Sequence, residues 1–170
     1  MTAGTLTFTG HADGGLILNP MATNVYFGLI VGRFNAGAVL SVQASGGTVP
    51  AFTAQVTAPE AIALTTPACS MSNCGTASKA MGLSLSWTGA STGVVRALLF
   101  ADNDRVYLNC SFPANAGTGQ IAPTTLARLP EGQALLTVGA TNTTNIVAGS
   151  IPVSFTAADE TTRAILTLTP

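Results

Sequence analysis

Gly82-Leu83-Ser84-Leu85-Ser86-Trp87-Thr88 alternates apolar and hydroxyl side chains without a break. Successive side chains of an extended strand point to opposite faces. Leu83, Leu85 and Trp87 therefore share one face, and Ser84, Ser86 and Thr88 the other. The same period recurs on both sides of this stretch. Residues 38–44 set Leu40 and Val42 against Ser41 and Gln43. Residues 52–57 set Phe52, Ala54 and Val56 against Thr53, Gln55 and Thr57. Residues 93–101 and 105–112 read as a hairpin around Asp102-Asn103-Asp104, with Val106, Leu108, Cys110 and Phe112 on one face.

Further short strands are expected at 5–9, 16–18, 61–65, 134–140, 151–156 and 163–169. Residues 24–31 are apolar on both faces and are expected to form a central strand. Turns are marked by His11-Ala12-Asp13-Gly14-Gly15, Asn19-Pro20, Ser45-Gly46-Gly47 and Gly117-Thr118-Gly119. Thr141-Asn142-Thr143-Thr144 is polar enough to read as a mobile loop. One segment breaks the pattern. Between Pro123 and Pro130, Leu126 and Leu129 stand three apart, which fits one or two helical turns. The expected fold is an all-β, antiparallel β-sandwich, Ig-like or jelly-roll-like, of about ten short strands with one short helix near 123–129. A single domain is expected over residues 1–170.

Charged residues make up 8% of the chain and apolar residues 47%. A usual soluble domain is about 25% charged. The polar faces are thus covered by Thr, Ser, Asn and Gln, as in extracellular β domains. The net charge is −1, and Lys79 is the one lysine. A nucleic-acid partner needs clustered cations, so none is expected. The longest apolar runs, at 25–31 and 94–101, fall short of the ~20 residues of a spanning helix. Seven Phe, two Tyr and one Trp are too few for the aromatic girdles of an outer-membrane barrel. No transmembrane segment is expected. Met1-Thr2-Ala3-Gly4 has neither the charged nor the apolar region of an export signal, so the signal is expected to be absent from this chain.

Three cysteines are present, Cys69, Cys74 and Cys110. Cys69 and Cys74 flank a short polar loop, which reads as a disulfide staple or as half of a metal site. A bridge from either one to Cys110 is the other pairing. A metal site lacks further ligands nearby, since His11 is the one histidine. The expected arrangement is a Cys69–Cys74 bridge with Cys110 as a buried free thiol. A disulfide implies an oxidising compartment, so the chain is expected to be secreted or held in the cell envelope.

Candidate chemistry is thin. His11 beside Asp13 reads as a surface-turn histidine, and no G-x-S-x-G accompanies it. Asp102-Asn103-Asp104 offers oxygens for calcium, but Arg105 and Val106 follow where an EF-type loop needs further ligands; a hairpin turn is expected. Glu60, Glu131, Asp159 and Glu160 are expected in loops. Gly117-Thr118-Gly119 lacks the lysine of a phosphate-binding loop. Trp87 is expected in the core rather than on a sugar-binding platform. Tyr107 shares the outward face of its strand with Asn109, which makes it the candidate contact residue. Asn109-Cys110-Ser111 and Asn142-Thr143-Thr144 match the N-glycosylation pattern. No catalytic residue, cofactor or metal is expected.

Several phrases occur together in one order. They are Gly47-Thr48-Val49-Pro50-Ala51-Phe52, Val56-Thr57-Ala58-Pro59 and Leu83-Ser84-Leu85-Ser86-Trp87-Thr88-Gly89, followed by Cys110-Ser111-Phe112, Gly117-Thr118-Gly119-Gln120-Ile121-Ala122-Pro123 and Leu126-Ala127-Arg128-Leu129-Pro130-Glu131-Gly132. Over residues 45–140 the chain resembles a group of secreted or lipid-anchored β-sandwich proteins of myxobacteria. The resemblance implies a bacterial cell-envelope or extracellular location and no assigned activity. This chain lacks the lipobox cysteine of a lipoprotein at its start.

These readings converge on a non-enzymatic extracellular or cell-envelope module, structural or binding, whose partner is a protein or glycan. Two alternatives stand beside it. One is a subunit of a fibre, pilus-like or surface-layer assembly, whose sparsely charged edge strands self-associate. The other is a carbohydrate-binding module.

Overall fold

The computed structural model describes residues 1–11, 14–21, 25–27, 34–70, 72–101 and 105–170, with the backbone alone at 160 and 161. The fold is all-β and sandwich-like. The described residues group into two compact units, one of Met1–Ala58 with Asn142–Ala157, the other of Pro59–Thr141 with Ala158–Pro170.

The second unit holds a three-stranded sheet and a five-stranded sheet whose residues 142–148 and 151–157 fall in the first unit. The three-stranded sheet has the order β10 (Thr118–Ile121), β7 (Leu83–Thr88), β5 (Ala63–Thr66). The five-stranded sheet has the order β6 (Asn73–Ser78), β12 (Ile151–Thr169), β11 (Gly132–Ala148), β8 (Val94–Ala101), β9 (Val106–Pro113). Their apolar faces build one core. Leu83, Leu85 and Trp87 of β7 meet Val95, Ala97 and Leu99 of β8, Leu136 and Val138 of β11, and Leu166 and Leu168 of β12. The alternation read in residues 82–88 is the cause. Trp87 is 3% exposed, and its Nε1 donates to the Ala114 carbonyl at 2.9 Å. The expected hairpin pairs in register from Val94↔Pro113 to Ala101↔Val106; its turn, Asp102-Asn103-Asp104, lies outside the described residues.

Helix α1 (Pro123–Leu126) is a single turn, with Pro at its start. There its missing N–H is no loss. Leu126 and Leu129 are both buried. Cys69 and Cys74 form the disulfide, and Ser70 and Asn73 exchange backbone hydrogen bonds inside the loop. Cys110 is free and half-buried rather than fully buried. The burial that remains pushes its thiol pKa up.

Four expectations give way. Residues 73–78 form β6, which pairs in parallel with β12 and makes the sheet mixed rather than purely antiparallel. Gly75, with φ +74°, takes up the irregularity between Asn73 and Thr76. Thr118 and Gly119 lie in a strand, not a turn, because Gly119 leaves room for the Phe112 ring. Thr141-Asn142-Thr143-Thr144 lies inside β11, not in a loop. Thr143 hydrogen-bonds Thr156, and Ser154 donates to Asn145, so the polar residues are satisfied across the hairpin. The strands expected at 151–156 and 163–169 are one continuous β12, which also carries Asp159 and the backbone of Glu160.

The first unit contains a four-stranded antiparallel sheet, β2 (Gly14–Leu18), β1 (Leu6–His11), β3 (Val39–Ala44), β4 (Phe52–Thr57). Its buried cluster is small: Leu40, Val56, Ala58 and Ala157, with Phe34, Ala38 and Phe155 half-buried against it. Tyr26 ties down the start of the chain. Its hydroxyl donates to Gly4 O at 2.7 Å and accepts from Ala3 N at 2.9 Å. Part of the strand expected at 24–31 lies outside the described residues; residues 25–27 are not in a strand.

A candidate ligand cleft

The site begins with a break in strand pairing. Phe8 stands opposite Leu16, but three residues later His11 stands opposite Gly14. One extra residue is therefore accommodated in β1. In an undisturbed strand, residues three apart face opposite ways. The bulge turns His11 onto the face of Phe8, as bulges re-aim side chains elsewhere. Gly10 makes it possible. Its φ is +96°, and a Cβ there would collide with the Val39 carbonyl oxygen. The surface-turn reading of His11 is thus corrected. It ends β1 and is half-buried. Asp13, its expected neighbour, lies outside the described residues.

That face opens into a cleft of about 310 Å³. Phe8 and His11 contribute from β1, Leu16 and Leu18 from β2, and Leu40 from β3. Phe34, Phe155, Thr156 and Ala157 complete the wall, and the Phe8 and Phe155 rings lie 6.1 Å apart, tilted. Among the described residues the lining is apolar apart from His11 and Thr156 and includes no carboxylate, lysine or arginine. Nδ1 of His11 is shut off from water and has no hydrogen-bond partner among the described residues. Buried polar groups in folded proteins are nearly always paired. Volume, apolar walls and one polar handle are the marks of a small-molecule site.

The second unit offers less. A cavity of about 40 Å³ on the outer face of the five-stranded sheet is lined by Arg96, Thr137, Gly139 and Asp159 among others. It has room for a water or two. Tyr107 is 62% exposed on that sheet's outer face and stacks on Phe100 at 6.0 Å. The pair forms a small aromatic shelf. Trp87 is removed from any platform by its burial. Glu60 is absorbed structurally, its Oε2 accepting from Ser91 N and Oγ at 2.9 and 3.0 Å. Glu131 meets Lys79 at 3.9 Å. Among the described residues no group of three His, Cys, Asp or Glu is placed to hold a metal ion. No described helix is long and apolar enough to cross a membrane.

Sequence reasoning missed the cleft because its signal is a pairing irregularity. Gly10 before His11 was the available hint, since a glycine inside a strand pattern marks a bulge. No protein-family model, curated protein or solved structure matches the chain.

Proposed function

We propose that this protein is a non-catalytic, exported binding module, and that the cleft of the first unit is its ligand site. The observation that carries the reading is the apolar cleft itself, held open by a sheet whose own buried cluster is small. The Cys69–Cys74 disulfide supports an oxidising location. Among the described residues the cleft offers one imidazole and no carboxylate to act with it. General acid–base chemistry usually needs a second positioned group. The cleft supports a small apolar ligand beside the expected protein or glycan partner.

Naphthalene is a probe of suitable size. It is expected to saturate one site, with amide shifts confined to β1, β2 and residues 153–157. Saturating naphthalene that leaves those amides unmoved would remove the reading.

A second reading has its own support. Ile17, Met21, Val25 and Phe27 are all more than half exposed in the first unit, and β2 is an edge strand without Lys, Arg or Pro. Such an edge pairs readily with another copy. Light scattering behind size exclusion distinguishes the two: a concentration-dependent oligomer favours an assembly subunit, a monomer the binding module.

A further inference from the structure

Resting on the binding-module reading, the ligand's chemistry can be narrowed from the wall of the cleft. Size comes first. A dry cavity of about 150 Å³ accepts benzene. A cleft of about 310 Å³ holds roughly twice that, about a dozen non-hydrogen atoms. Charge comes second. Among the described residues the lining carries no acid, lysine or arginine, so a charged ligand would lose its hydration with no counter-charge from them, which is costly. A neutral ligand fits.

The polar handle comes third. His11 Nδ1 lacks both water and a partner among the described residues. A half-turn about Cβ–Cγ exchanges Nδ1 with Cδ2 and keeps the ring's outline, so the imidazole can present a nitrogen at either edge. In the neutral ring one nitrogen donates and the other accepts. A carbonyl or ether on the ligand could only accept. A hydroxyl does both and satisfies either tautomer.

We propose that the cleft takes a neutral, largely apolar molecule of about a dozen non-hydrogen atoms bearing one hydroxyl, an alcohol or phenol, hydrogen-bonded to the imidazole of His11. Gly10 belongs to the same device, since its bulge aims the imidazole.

The test compares 2-naphthol with naphthalene by calorimetry, on the full chain and on His11→Phe. The natural protein is expected to bind 2-naphthol about tenfold more tightly, the ratio for a hydrogen bond and an otherwise orphaned group. His11→Phe is expected to bind the two equally. His11 is the one histidine of the chain, so its two imidazole ¹⁵N signals are unambiguous. One of them is expected to move with 2-naphthol and to stay put with naphthalene. This readout holds even where His11→Phe fails to fold. Equal affinities with an unmoved imidazole would overturn the hydroxyl proposal and leave the cleft as an apolar site. Binding of neither probe would overturn the cleft reading as well.

Discussion

The two units spend apolar residues differently. In the second, Val95, Leu99, Leu126, Leu136 and Leu166 are completely buried, and both faces of β11 are closed from residue 136 to 141. In the first, the connected buried cluster among the described residues is Leu40, Val56, Ala58 and Ala157, with Val42, Ala44, Ala54 and Ala148 buried outside it, while Phe8, Leu16, Leu18 and Phe155 remain half-buried around a cleft. Large side chains that stop short of closing a core have lost part of the stabilisation burial provides, about 25 cal/mol per Å². A surface kept that way is most useful where something else completes it. The contrast separates a dense scaffold from a unit left open for a ligand.

Truncation should expose the contrast most strongly. Trp87→Ala is expected to cost ~3–5 kcal/mol in denaturant unfolding, because it opens a cavity and removes one of the two hydrogen bonds that the Ala114 carbonyl accepts. Phe155→Ala, at the cleft, should cost about half as much, since its ring is already partly exposed. Equal losses at the two sites would erase the distinction between the units.

Glycine replacements sharpen it. Gly119→Ala would bring a Cβ to 2.6 Å from the Phe112 ring, which packs against the dense core. Overpacking of that kind costs ~1–3 kcal/mol. Gly10→Ala forces a side chain into a positive-φ position, at about 1–2 kcal/mol. Its larger effect should be on binding, through loss of the bulge that aims His11. A Gly10→Ala protein that binds naphthalene and 2-naphthol as before would separate the bulge from the site.

The disulfide and the free thiol give the smallest effects. Cys69→Ser with Cys74→Ser opens a loop of sequence separation 5. Loop-closure entropy for so short a ring puts the loss at about 2 kcal/mol, measurable as a lower denaturation midpoint. Cys110 keeps a raised thiol pKa through burial. Its alkylation should therefore rise at higher pH than that of a free cysteine, because the thiolate is the reacting form. The same shift makes a small stability contribution of opposite sign. Stability falls as pH rises from the unfolded thiol pKa towards the folded one, where the unfolded state alone has lost its proton. A thiol alkylated like free cysteine at neutral pH would contradict the packing around it.

The scaffold was legible in the sequence because its signal is local. Leu83, Leu85 and Trp87 alternate with Ser and Thr, and structure follows that pattern residue by residue. The long strands were not legible for a physical reason. In β12 the inward set is half-buried Phe155 with buried Ala157 at odd positions, then Ala164, Leu166 and Leu168 at even ones. The alternation slips by one residue between Ala157 and Ala164, which breaks a period-two reading without breaking the strand. Polar residues 141–145 likewise hid a strand whose partners lie across a hairpin. The cleft depends on a register shift at Gly10, and register is a property of two strands rather than one. Tyr107, chosen for its outward face, is exposed as its strand position predicts, and its stacking on Phe100 comes from cross-strand pairing.

Residue-resolved amide hydrogen exchange, with and without saturating 2-naphthol, tests the division into scaffold and binding unit most directly. A ligand held by the cleft stabilises the states that contain the formed cleft, in proportion to the logarithm of its concentration over its dissociation constant. Protection should rise in β1, β2 and β3 and stay unchanged in β7, β8 and the 134–141 part of β11 wherever these open while the cleft stays formed. An unchanged exchange pattern in β1 to β3, or a rise centred on the second unit, would contradict the account.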